Sequence, residues 1–147
     1  MQLTHSANGT IIKDKRIKGA AAVRFICKLD KNLYRCVTVD IVTDEVIITE
    51  ERIEHIRGRH PHDYERFVSY LPEIIENPDY ILEANRPNTA FILKRVEAAG
   101  EHFELIMRLK IENDPIEYRN SIITFLRIKR KKWEKYLRNK KILYSRE

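Results

Sequence analysis

At 147 residues the chain is long enough for one hydrophobic core, or for a small domain with an N-terminal appendage. Hydrophobic residues at 43% and charged residues at 34% exclude an intrinsically disordered chain. The 28 Lys and Arg exceed the 22 Asp and Glu, and the net charge of +6 favours polyanionic partners, nucleic acid before an anionic membrane. No run approaches the roughly 18 apolar residues of a membrane span, and Ala20-Ala21-Ala22 is far too short for a signal-peptide core. The expectation is therefore a cytoplasmic protein with no membrane partner, or one delivered into a target cell as part of a larger toxin.

Residues 1–20 are polar, with a turn signal at Asn8-Gly9 and a basic run at Lys13, Lys15, Arg16 and Lys18. This run reads either as an arm that touches nucleic acid or as a solvated terminus. Residues 23–29 and 34–41 are rich in Val, Ile, Phe and Cys and predict a β-hairpin with Lys31-Asn32 as its loop. In that register Cys27 and Cys36 fall directly opposite each other, where a cross-strand disulfide is geometrically possible and two reduced thiols are the alternative. Val46-Ile47-Ile48 predicts a short strand or an extended lead-in.

Thr49 is a good N-cap for a helix that carries Glu50 and Glu51 in its first turn, where the helix dipole favours acids. Ile53 and Ile56 form its buried stripe, Gly58 is a natural stop, and Pro61 forces a restart. A second helix spans about Asp63 to Glu76, kinked or split at Pro72, and Asn77-Pro78-Asp79 ends it. The period then changes from helical to alternating. Four strands are predicted at Tyr80–Ala84, Ala90–Glu97, His102–Ile111 and Asn120–Ile128. The third alternates most cleanly. Phe103, Leu105, Met107, Leu109 and Ile111 share one face, and His102, Glu104, Ile106, Arg108 and Lys110 share a polar, cationic face open to a ligand. Lys129–Lys141 is a final basic helix with Trp133, Tyr136 and Leu137 on its apolar side, and Ile142-Leu143-Tyr144 packs back on the body. The class is α+β: an N-terminal extension with a β-hairpin over 1–45, then two helices, a four-stranded antiparallel sheet and a C-terminal basic helix over 46–147.

The chemistry is bounded first by what is missing. The four glycines form no phosphate-binding loop, and there is no CxxC zinc pair. His55, His60, His62 and Asp63 do not match an established ligand spacing, so no metal or other cofactor is expected. What remains is a cluster of histidines and arginines in Glu50–His62, facing hydroxyls and cations on the downstream strands across one cleft. Those residue types suit metal-free RNA cleavage. Histidine serves as acid or base near neutrality, Lys and Arg stabilise a crowded phosphate, and Ser or Thr donates to a phosphate oxygen. Lys94 is notable because it interrupts an apolar strand. The candidate nucleic-acid contacts are Arg57, Arg59, Arg108, Lys110, Arg127, Lys129, Lys131 and Lys132. For each of these residues a solvated or structural role is the alternative.

The run HIRGRHP, then LK inside a central strand, NSIIT in a later strand and a terminal KKILY together resemble the barnase–EndoU–colicin–RelE superfamily of metal-independent ribonucleases, on its phage- and polymorphic-toxin-associated branch. The likeness covers roughly Val46–Tyr144 and leaves residues 1–45 unexplained. It implies a toxin-like endoribonuclease that cuts RNA, tRNA or another translation-related RNA among the candidates, by transesterification to a cyclic phosphate. By resemblance His60 is the first choice for acid/base work and His55 the second, with Lys94 as the phosphate-stabilising cation. Ser121 or Thr124 supplies the hydroxyl, and Tyr144 contributes from the end of the chain. In a regular strand Ser121 and Thr124 face opposite sides, so sharing a site requires a bend. An acidic immunity or antitoxin protein is the implied partner. The competing readings are a non-catalytic nucleic-acid-binding module on the same fold and, further off, a protein that works at a membrane surface.

Overall fold

The computed structural model describes residues 22–146 in full, together with the backbone of two short strands at 3–5 and 11–13. The basic run around Lys15, Arg16 and Lys18 and the Asn8-Gly9 turn lie outside the described residues.

The order of elements is β1 (Leu3–His5), β2 (Ile11–Lys13), β3 (Val23–Lys28), α1 (Lys31–Tyr34), β4 (Glu45–Thr49), α2 (Glu50–Arg59) and α3 (Asp63–Phe67). A 3-10 turn (Val68–Tyr70) leads into α4 (Leu71–Glu76), followed by β5 (Tyr80–Glu83), β6 (Thr89–Val96), β7 (Glu101–Arg108), β8 (Asn120–Ile128), α5 (Arg130–Asn139) and β9 (Ile142–Ser145). The class is α+β, but the sheet is larger than the predicted meander and is mixed. Its strand order is β1-β2-β3-β4-β8-β7-β6-β5-β9. The four expected strands do form an antiparallel run, β5 to β8. They are extended on one side by β9 and on the other by β4, which joins β8 in parallel through Val46↔Asn120 and Ile47↔Ser121.

The predicted hairpin over 23–41 is corrected. β3 pairs with β4, and its expected second arm does not form a strand. The Asp30 carboxylate accepts hydrogen bonds from the backbone N–H groups of Asn32 and Leu33, an N-cap that starts a single helical turn. Tyr34 at the end of that turn is buried and donates its hydroxyl to the Ile75 carbonyl at 2.7 Å. The cap and this anchor override the β-propensity of Cys36–Val39. Consequently Cys27 lies opposite Val46, not Cys36, and the two cysteines are free, Cys27 buried and Cys36 exposed. Burial, reinforced by the Glu76 charge, pushes the Cys27 thiol up to about 12, so it is a packing group and not a nucleophile. A boundary between residues 45 and 46 falls at the first residue of β4, and Ile26, Leu29 and Tyr34 share one core with Val46, Ile48 and Ile53.

The helices α2 to α4 cover one face of the sheet. Thr49 caps α2 through Arg52 N–H, and Ile53 and Ile56 point inward as predicted. Gly58 does not end that helix, which runs to Arg59 and closes at His60, whose N–H donates to the Ile56 carbonyl. The break in the next helix comes at the 3-10 turn before Pro72, and Pro72 occupies the first turn of α4, where its missing N–H costs nothing. Phe103, Leu105, Met107 and Leu109 are fully buried beneath these helices. The opposite face is not an open cationic surface, because α5 lies across part of it. Trp133, Tyr136 and Leu137 pack on Leu82, Phe91, Leu93 and Ile128. Glu104 is buried there and accepts a hydrogen bond from the Tyr136 hydroxyl at 2.8 Å.

Candidate functional site

A cleft of about 1080 Å³ opens at the end of the sheet where β5 stops short of β6. Tyr80, the first residue of β5, sits opposite Leu93, so β6 runs on from Lys94 to Val96 without a neighbour on that side. Asp79 closes this bare edge. Its N–H donates to the Leu93 carbonyl at 3.0 Å, and its Oδ2 accepts the Arg95 N–H at 2.8 Å. The other carboxylate oxygen lies 3.5 Å from Lys94 Nζ and 3.5 Å from Arg146. Lys94 therefore sits almost fully buried as one half of an ion pair, which explains a lysine inside an apolar strand.

One wall of the cleft is aromatic. Trp133 of α5 meets Tyr80 edge to face at 5.9 Å and His102 at 4.8 Å and 71°. His102 is the second residue of β7 and pairs across the sheet with Arg95 of β6. Burial lowers its pKa below the ordinary imidazole value, and the positive charges of Arg95 and Arg130 lower it further, partly offset by Glu101 and Asp79. These surroundings favour the neutral imidazole over the cation.

The cleft is balanced in charge. Lys94, Arg95, Arg130 and Arg146 line it, and so do Glu73, Asp79, Glu97 and Glu134. Arg95 pairs with Glu97, and Arg130 pairs with Glu134 at 3.2 Å, both on exposed side chains. Exposed pairs of this kind are worth little, so an incoming phosphate can take the arginines at small cost.

The structure does not bring the expected site residues together. Lys94 lines the cleft, but His55 is exposed and His60 partly exposed in the helical layer, and neither lines it. Ser121 and Thr124 do share a face. A bulge at Ile123 of β8, facing Ile106 and Met107 of β7, sets Ser121 opposite Arg108 and Thr124 opposite Ile106, two residues apart on the partner strand. That face is the one opposite the helical layer that carries the histidines, so hydroxyls and histidines do not meet across a single cleft. Tyr144 pairs with Ile81 and packs against the core beneath the helices.

Most of the expected phosphate contacts are already engaged. Arg57 is bound to Glu54 and Glu65, Arg127 to Asp63 and Glu101, and Arg108 holds Asp114 through two bonds of 3.1 Å. Lys110 donates to the Ile116 carbonyl, and Lys132 lies 3.9 Å from Glu104. Arg59, Lys129 and Lys131 are exposed. The backbone at His62 adopts φ +71°, a left-handed conformation uncommon outside glycine, asparagine and aspartate, which lets the chain turn between α2 and α3. Among the described residues no group of three or more His, Cys, Asp or Glu could hold a metal ion.

His102 was visible in the sequence as the first residue on the polar side of the third strand, but nothing local marked it out. Its partners Arg95, Arg130 and Trp133 come from two other elements.

Comparison with known families gives a match to the phage-Barnase-EndoU-ColicinE5/D-RelE like nuclease 2 family over residues 24–145. The chain belongs to that family. No curated protein and no solved structure matches it. The match starts in β3 and so takes in residues 24–45, which the likeness read from the sequence left out. As a phage-Barnase-EndoU-ColicinE5/D-RelE like nuclease the chain carries the expectation of nuclease activity, and its cleft has the residue types that such chemistry requires.

Proposed function

We propose that this protein is a metal-independent endoribonuclease and that the cleft around His102 is its active site. The observation that carries the proposal is an imidazole in the cleft, packed on Trp133 and sharing the lining with Arg95 and Arg130, whose burial and charged neighbours hold its pKa below the ordinary value. A neutral ring is a competent general base near pH 7. His102 takes the proton of a ribose 2′ hydroxyl, and the 2′ oxygen attacks the adjacent phosphorus. The bond to the 5′ oxygen breaks, leaving a 2′,3′-cyclic phosphate and a 5′ hydroxyl protonated by solvent. Arg95 and Arg130 leave their exposed carboxylate partners and hold the non-bridging oxygens as negative charge gathers on them. Lys94, paired with Asp79, lines the cleft from the other face of β6. Trp133 and Tyr80 offer an aromatic surface for a base next to the cut. Metal independence is part of the proposal: the arginines supply the positive charge at the phosphate, and Asp79 is held by Lys94 and Arg146.

The RNA substrate, tRNA or another translation-related RNA included, and an acidic immunity or antitoxin partner remain part of this proposal. They rest on the family and on the net charge of +6. The test is cleavage of RNA in EDTA by the wild type, His102→Ala and Lys94→Ala. Loss of cyclic-phosphate products in His102→Ala supports the site. RNA that is bound but left intact by the wild type supports a non-catalytic binding module.

A further inference from the structure

The cleft cannot by itself attract a polyanion, because its four cations are matched by four carboxylates. The surplus positive charge lies immediately outside it. Between Lys129 and Lys141 the chain carries eight basic residues and one acid, Glu134. On α5 these are sorted by direction. Trp133, Tyr136 and Leu137 face the sheet, and Arg130 and Glu134 form the lip of the cleft. Lys131, Lys135 and Arg138, at spacings of four and three, fall on the side opposite the apolar residues and are exposed. Among the described residues none of the three has a carboxylate within ion-pair distance, whereas Arg57, Arg108 and Arg127 each do. At about 1.5 Å rise per residue the row is about 10 Å long.

We propose that Lys131, Lys135 and Arg138 form a binding track for single-stranded RNA flanking the scissile phosphate, so that affinity comes from α5 and chemistry from the cleft. This deepens the nuclease reading and rests on it. Two observations support RNA as the occupant. The track is continuous with the cleft, since Arg130 and Glu134 of the same helix line it. An anionic membrane would need an apolar face to insert, and the apolar face of α5 is spent on Tyr80, Phe91 and Leu93.

The test uses the full chain with a 12-nucleotide RNA and a mixture of dinucleotides as substrates, in wild type and in the triple variant Lys131→Ala/Lys135→Ala/Arg138→Ala. The wild type should prefer the longer substrate in kcat/KM, and the variant should lose about tenfold of that preference. Binding of the same 12-mer to His102→Ala, followed by fluorescence anisotropy against salt, should show a log–log slope that falls by about 2 when the three cations are removed. Binding that depends on the track without any cleavage by the wild type would leave the track standing and overturn the active-site reading. Cleavage and salt dependence unchanged in the triple variant would overturn the track. Tighter binding of wild type to phosphatidylserine vesicles than to the 12-mer, abolished in the variant, would overturn it in favour of a membrane.

Discussion

The carboxylate of Asp79 lies 3.5 Å from Lys94 Nζ, and the same group ties β6 to the residue that follows β9. It seals the free edge of β6 through the Arg95 N–H, and it holds Arg146 just past β9. One side chain therefore sets both the position of a buried cation and the docking of the C-terminal strand. Asp79→Asn should leave the buried Lys94 without its carboxylate partner. The expected loss is about 2 kcal/mol in urea unfolding, below the roughly 3–5 kcal/mol of a fully buried pair, because Asp79 is 22% exposed and asparagine can still accept from Arg95. Lys94→Met should cost less, since Asp79 keeps Arg146.

The titration of His102 gives a signature of its role. As a general base it works when neutral, so activity falls as pH drops through its pKa. Burial, then Arg95 and Arg130, hold that pKa below the usual imidazole value. The acid limb of kcat/KM should therefore lie below about pH 6.5. Arg95→Gln removes one of the two charges, and the limb should move to higher pH while the plateau falls. A limb that stays in place would detach the titrating group from this ring.

Docking of α5 depends on a buried polar contact. Tyr136 donates to Glu104, and burial together with this bond raises the Tyr136 pKa well above its ordinary value. Tyr136→Phe keeps the ring against Phe91 but leaves the Glu104 carboxylate with only Lys132 at 3.9 Å. A cost of about 1–2 kcal/mol is expected in thermal or urea unfolding, with the helical circular dichroism signal retained.

How far the fold could be read in advance differs from element to element. The strands between Tyr80 and Ile128 were legible because alternation and turn residues are local signals, and so were the Thr49 cap and the Ile53/Ile56 stripe. The parallel pairing of β4 with β8 was not, since Ile47 and Ser121 meet across a long stretch of intervening chain. Nor was α1, because a one-turn helix owes its existence to the Asp30 cap and to a distant anchor, the Ile75 carbonyl. In the site, Lys94 stood out as a charge within an apolar run. Arg108 and Arg127 looked like free cations because a sequence does not show that Asp114, Asp63 and Glu101 fold against them. His102 gave the weakest local signal, and its environment is assembled entirely by tertiary structure.

The most direct measurement is cleavage of total RNA in EDTA by the wild type, His102→Ala and His60→Ala, with product ends analysed. Fragments ending in 2′,3′-cyclic phosphate from the wild type and from His60→Ala, with at least a 100-fold loss in His102→Ala, are predicted, at the lower end of what a positioned base contributes, about 10²–10⁴. Full activity in His102→Ala with loss in His60→Ala would contradict this account and place the chemistry at the junction of α2 and α3.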